Sequence, residues 1–220
     1  MHLSYTEENY LKAIWSLSSD AEEVSTNDLS AHLQNKAASV TEMLKRLSEK
    51  KLIHYEKYKG VRLSTKGRKI AIGIVRKHRL WEVFLMQELK FSWDQVHDIA
   101  EQLEHIQSEE LIERLDAYLG HPRRDPHGDP IPDAQGNFKK SKTLILNSVP
   151  AKKNYVFTGV REHSASFLQH LTALGLRIGD ELQVVEKIEF DNSFKVRINR
   201  NPSQFLSEKV TAGILVEAIK

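Results

Sequence analysis

Three helix-period segments run into a basic, alternating hairpin, an acidic stretch of amphipathic helices follows, and beyond a proline-rich loop the chain breaks into short strands between turn signals. Together these observations predict a mainly α protein with a small β domain, built as an N-terminal winged helix-turn-helix, a helical dimerisation domain and a C-terminal SH3-like barrel. The expected boundaries are 1–74, 75–140 and 141–220, with a linker loop closing the middle part.

In TEENYLKAIWSLS, Tyr10, Leu11, Ile14, Trp15 and Leu17 recur at helical spacing, and Thr6 is expected as the N-cap. VSTNDLSAHL gives a short second helix, capped by Ser25 or Thr26, with Leu29 and Leu33 turned inward. After the brief connection 34–37, ASVTEMLKRLSEKKLI forms a third helix in which Val40, Leu44 and Leu47 make the buried stripe. HYEKYKGVRLSTKG alternates, turns at Lys59-Gly60 and returns as a hairpin. A long helix spans 66–88 through Ile70, Ile74, Leu80, Val83 and Phe84. In VHDIAEQLEHI, Val96, Ile99, Ala100, Leu103 and Ile106 share one face. His97, Glu101, Glu104 and His105 fall beside it, so those four are expected at the shoulder of a packed interface. EELIERLDAYL makes a further helix that ends at Gly120, and HPRRDPHGDPIPDAQG, residues 121–136, reads as a linker. The C-terminal third offers a short helix, strands broken at Gly179-Asp180 and Asp191-Asn192, and a last strand over 213–219.

The 220 residues are 40% hydrophobic and 28% charged, and no apolar run reaches the length of a membrane span. With no basic-then-apolar opening, a cytoplasmic location without membrane contact is expected. The absence of cysteine excludes disulfides, thiolate metal sites and cysteine nucleophiles, so any metal must be held by nitrogen and oxygen. The net charge of +2 conceals segregation: residues 24–80 hold 14 Lys plus Arg against 4 Asp plus Glu, whereas 81–119 hold 2 against 10. One block suits a polyanion and the next suits cations.

In a winged helix-turn-helix the third helix enters the major groove and the hairpin touches the phosphate backbone. Small residues at the start of that helix, Ala38 and Ser39, allow close approach to base edges, and Thr41 offers a hydroxyl donor. Lys36, Lys45, Arg46, Lys57, Lys59 and Arg62 are expected to neutralise phosphates. The middle helices carry more apolar surface than a DNA-binding wing requires, which points to a homodimer matched to a palindromic operator.

The opening EENYL, the segments ASVTEMLKRL and HYEKYKGVRLSTKG, RKHRLWEVFL, VHDIAEQLEH, DPHGDPIP and LGLRIGDELQV follow one another in an order that resembles the diphtheria toxin repressor family of metal-dependent transcription regulators, and more closely its manganese-responsive branch. The resemblance implies a homodimeric repressor that binds operator double-stranded DNA when loaded with a divalent ion. It implies a primary site from Glu101, Glu104, His105 and the helix-one position held here by Asn9, where the manganese branch commonly has aspartate and the iron branch methionine. It implies a second site from His78, Glu82 and His97, with Asp125 and His127 as further ligands, and it places Glu162 and His163 near a contribution of the FeoA-like C-terminal part. Iron-responsive relatives place cysteine at the position of Glu101, and a carboxylate there favours Mn²⁺, with Fe²⁺ as the second choice. In the expected mechanism Glu101 and Glu104 repel each other until a divalent ion ties helix one to the middle helices. Two rivals are a helical di-metal enzyme, which lacks an HExxH pair and leaves the basic wing without a role, and a DNA-binding protein with an organic effector.

Overall fold

The computed structural model describes residues 3–18, 23–56, 59–139 and 142–219. The chain opens with α1 (Tyr5–Leu17), α2 (Thr26–His32) and α3 (Ala37–Glu49), then the antiparallel pair β1 (Ile53–Glu56) and β2 (Gly60–Leu63). Ser4, not Thr6, caps α1: the Glu7 amide donates to Ser4 Oγ (3.3 Å) and the Ser4 amide donates to Glu7 Oε2 (3.0 Å). The capping box prevails because Ser4 has a glutamate three residues on, whereas Thr6 has Asn9. Ser25 caps α2. Leu11, Ile14, Leu29, Val40, Leu44, Leu47 and Val61 close one core, and Val24 pairs with Val61 to bind the wing to the start of α2.

Next comes α4 (Thr65–Gln87), a 23-residue helix that runs straight through the boundary expected at 74/75. Its first half supplies Ala71 to the N-terminal core, and its second half supplies Leu80, Trp81, Val83 and Leu85 to a core shared with α5 (Val96–Leu103) and α6 (Glu109–Tyr118). One rigid rod therefore joins both cores. Helix α5 is shorter than the sequence suggests: Glu104 is its C-cap and His105 lies beyond it. That early stop changes where both side chains go. His97 and Glu101 stay half-exposed at the shoulder, but Glu104 and His105 are buried.

The segment 121–136 is a loop, as expected, yet it does not behave as a linker. Asp125, His127, Gly128 and Ile131 are buried, and the Val160 amide donates to the His127 carbonyl (2.9 Å). Gly128 has φ +90°, and a Cβ there would sit 2.1 Å from the Thr158 carbonyl oxygen. Only glycine lets the loop lie this close to the neighbouring strand.

That strand is β4 (Lys153–Val160), the middle of a six-stranded antiparallel sheet ordered β3-β8-β4-β5-β6-β7. The others are β3 (Leu144–Ile145), β5 (Glu181–Lys187), β6 (Phe194–Ile198), β7 (Gln204–Leu206) and β8 (Ile214–Ala218), with α7 (Ala165–Ala173) and α8 (Glu208–Ala212) inserted. The sequence reading anticipates β5, β6, β8 and α7 but not β3, β7, α8 or the long strand β4. KNYVFTGV does alternate inward Tyr155 and Phe157 with outward neighbours, but no glycine or proline cluster bounds it on both sides. The sheet forms a small SH3-like unit with its own core of Leu146, Phe157, Leu182, Val196 and Val216.

Candidate metal centre

Four elements converge on the acidic middle of the chain. Along α4, His78 and Glu82 are four residues apart and so face the same way. His97 at the start of α5 meets them: His78 Nε2 lies 3.1 Å from Glu82 Oε1 and 3.2 Å from His97 Nδ1. The docked loop adds His127, whose Nδ1 is 3.5 Å from Glu82 Oε1, and Asp125. Two sets of donor atoms, His78/Glu82/His97 and Glu82/Asp125/His127, each lie within 4.8 Å of one another and share Glu82. His127 is 2% exposed, so its imidazole is turned into this cluster and away from solvent.

The residues assigned to the primary site are arranged differently. Glu101, Glu104 and His105 form no such tight set among the described residues. Lys12 of α1 stands between the two carboxylates, with Nζ 3.0 Å from Glu101 Oε1 and 2.7 Å from Glu104 Oε1. Simple repulsion between Glu101 and Glu104 is therefore not the arrangement seen. His105 Nδ1 lies 2.6 Å from Glu8 Oε2, with the Tyr5 ring stacked on the imidazole at 4.5 Å. With Nδ1 held by a carboxylate, Nε2 is the nitrogen left with a lone pair. The Asn9 Oδ1 is buried without a hydrogen-bond partner. An orphaned carbonyl oxygen of this kind, on the α1 turn between Glu8 and Lys12, fits a ligand position.

Glu104 joins the two clusters. It is fully buried, and its Oε2 accepts Lys12 Nζ (2.8 Å) while lying 2.6 Å from His78 Nδ1. Burial pulls the His78 imidazolium down, but Glu104 and Glu82 prevail and hold its pKa up at about 9. Burial pushes the Asp125 carboxyl up to about 7, with Glu82 and Asp129 adding to the effect and Arg79 opposing it. The site's donors are imidazole and carboxylate with one amide oxygen, which suits a divalent ion that accepts nitrogen and oxygen.

Comparison with known proteins points the same way. Residues 2–61 match the family model "Iron dependent repressor, N-terminal DNA binding domain", 64–133 match "Iron dependent repressor, metal binding and dimerisation domain", and 145–218 match the FeoA domain. The iron-dependent repressor IdeR of Mycobacterium leprae is 32% identical over 127 residues, 58% of this chain and 55% of that protein, so the chain matches about half the length of such relatives. The diphtheria toxin repressor of Corynebacterium glutamicum is 26% identical over 83% of this chain and 84% of its own length. A solved manganese-dependent transcriptional repressor in complex with manganese superposes with a TM-score of 0.87 at 32% identity, covering 97% of this chain and 100% of the other. The chain belongs to the diphtheria toxin repressor family. Within it, the whole-length likeness falls on the manganese-responsive branch. Its relatives are DNA-binding transcriptional repressors, not enzymes.

In a diphtheria toxin repressor frame, 2–61 is the reading head. Lys36, Ala38, Ser39, Lys45 and Arg46 are all exposed around α3, away from the buried stripe of Val40, Leu44 and Leu47. Thr41 is half-buried and its hydroxyl donates to the Ala37 carbonyl (2.9 Å), so its donor hydrogen is engaged within the helix and its oxygen remains as an acceptor. Lys59 and Arg62 are exposed on the wing, and Lys57 lies outside the described residues. Sequence reasoning overlooked Glu8, Lys12 and Arg79. The i, i+4 spacing of Glu8 and Lys12 on either side of Asn9 was the available signal. Arg79 fastens the loop, donating to the Pro130 carbonyl and to Asp129 Oδ2 (3.2 Å). His163 lies 3.6 Å from Asp129 and its ring is 5.2 Å from that of His127, so the β unit does reach this loop.

Proposed function

We propose that this chain represses transcription by binding operator DNA as a homodimer when loaded with Mn²⁺, in the cytoplasm, and so controls uptake of that metal. Fe²⁺ is the alternative ion. Three units divided near 74 and 140 do the work: a reading head, a helical metal-binding and dimerising middle, and the β unit. Glu101, Glu104, His105 and Asn9 would hold one ion, and His78, Glu82 and His97, with Asp125 and His127, a second. Hard oxygen donors and the lack of any thiolate support Mn²⁺ over softer ions. When bound, the ion supplies positive charge that neutralises the convergent carboxylates.

The observation that carries this reading is the double life of α1. Its apolar face, Leu11 and Ile14, is part of the reading-head core, while Glu8 and Lys12 on another face reach His105, Glu101 and Glu104. Anything that repositions α1 against the end of α5 must therefore carry α3 with it. Exposed Met86, Leu89, Phe91, Leu111 and Tyr118 around α4 and α6 offer apolar surface for a second subunit. No helix of the described residues is long and apolar enough to cross a membrane.

The test is anisotropy titration of operator DNA with and without Mn²⁺. The wild-type protein is expected to bind DNA more tightly with Mn²⁺, by about 5- to 150-fold, and metal and DNA must strengthen each other by the same factor. Glu101→Ala is expected to lose that response and keep weak, salt-sensitive binding. A Glu101→Ala protein with the full Mn²⁺ response would remove the primary-site assignment.

A further inference from the structure

The side chain that meets the Glu101/Glu104 pair is a lysine. Lys12 comes from α1, the carboxylates come from α5 and its C-cap, and the ammonium lies within 3.0 Å of one oxygen of Glu101 and of both oxygens of Glu104. The Lys12 side chain is 18% exposed and that of Glu104 is fully buried, so the Lys12–Glu104 contact is enclosed, with the half-exposed Glu101 on its solvent side. The fit is imperfect: Glu104 Oε1 makes no hydrogen bond of acceptable geometry although Nζ is only 2.7 Å away. One turn back on the same face, Asn9 Oδ1 is buried and also unpartnered. The ammonium thus offsets one of the pair's two negative charges, while Glu104 Oε1 and Asn9 Oδ1 are left without a hydrogen bond.

An ammonium and a divalent ion cannot both sit on these oxygens. Cations at such separation repel strongly in a buried setting. Lysine is a compact charge on a flexible four-carbon stem, able to withdraw to solvent when displaced. We propose that Lys12 is a built-in counter-cation that competes with the metal for Glu101 and Glu104, and so sets the metal concentration at which the protein loads. On this account the α1–α5 seam is bridged by one cation or the other. Loading is an exchange of a monovalent tether for a divalent one that also takes up Asn9 and His105. The proposal rests on the reading of Glu101 and Glu104 as metal ligands.

The experiment is calorimetric titration of Mn²⁺ into the full-length wild-type, Lys12→Gln, Lys12→Met and Glu101→Gln proteins, with thermal melts of each in chelator and in saturating Mn²⁺. Removal of the ammonium is expected to tighten Mn²⁺ binding at the step that Glu101→Gln abolishes, by roughly tenfold. The same variants are expected to melt lower than wild type in chelator and level with it in saturating Mn²⁺. Unchanged or weaker Mn²⁺ binding in both Lys12 variants, with Glu101→Gln still abolishing the step, overturns the competition and leaves the site assignment standing. Full Mn²⁺ binding by Glu101→Gln overturns the assignment and the proposal with it. Should the Lys12 variants not fold, nitrogen-15 spectra of the wild-type lysine ammonium groups decide the matter. A slowly exchanging signal is expected in chelator and lost on addition of diamagnetic Cd²⁺, and its survival at Cd²⁺ saturation overturns the proposal.

Discussion

At the scale of single residues, the site depends on groups that hold other groups. Glu8 is the clearest case, fixing the His105 ring through Nδ1 while Gln107 donates to its other oxygen (2.8 Å). Carboxylates behind a ligating histidine orient the ring and raise its basicity. Glu8→Gln is therefore expected to weaken Mn²⁺ binding by about 10- to 100-fold with little change in fold, read by calorimetry and circular dichroism. His78 gives a pH signature. Its pKa is raised from 6.5 to about 9 in the folded chain, so the stability it contributes is complete below pH 6.5 and lost as pH rises through about 9. Melts in chelator should fall across that window, and His78→Gln should flatten the fall. An equal slope in the variant would assign it to another group.

At the scale of elements, the loop 121–136 is the part whose role changed most between pattern and packing. Arg79 grips it from α4, β4 receives it at Gly128, and the Trp93 carbonyl lies 2.7 Å from His127 Nε2. The loop is thus clamped between the helical middle and the β unit, and its rigidity is what brings Asp125 and His127 to Glu82. Gly128→Ala combines a disfavoured backbone with a clash against the Thr158 carbonyl. It is expected to cost about 2 kcal/mol or more in denaturant unfolding and to open residues 121–136 to limited proteolysis. Wild-type resistance in that variant would show that the loop docks by other means.

At the scale of the whole molecule, one 23-residue helix passes from the N-terminal core to the core of the helical middle, and α1, part of the first, reaches Glu101, Glu104 and His105 beside the second through Lys12 and Glu8. On the proposed function, such a frame would pass a shift at the metal site on as rigid-body movement, because packed cores resist continuous deformation. A pair of heads must also be held at operator spacing. Leu89 is 54% exposed beside Met86 and Phe91, and Leu89→Asp is expected to shift the protein toward monomer in light scattering and to weaken operator binding in step. A dimer of unchanged strength would place the interface elsewhere.

By itself, the sequence determined the helical periods, the basic wing and the nitrogen-and-oxygen limit on any metal, whereas the residues of the second cluster were named only through the family resemblance. Each of the first three is a local matter: side-chain spacing on one helix, turn residues at a hairpin, or the absence of cysteine. Only the tertiary structure decided that α5 stops at Leu103, turning Glu104 and His105 inward, and that a proline-rich loop is buried against β4. It also decided that Lys12, 89 residues away in the chain, lies against Glu101. A lysine at a helical position reads as solvated surface until the partner that removes it from water is known, and that partner is fixed by how α1 packs on α4 and α5, not by any spacing within α1.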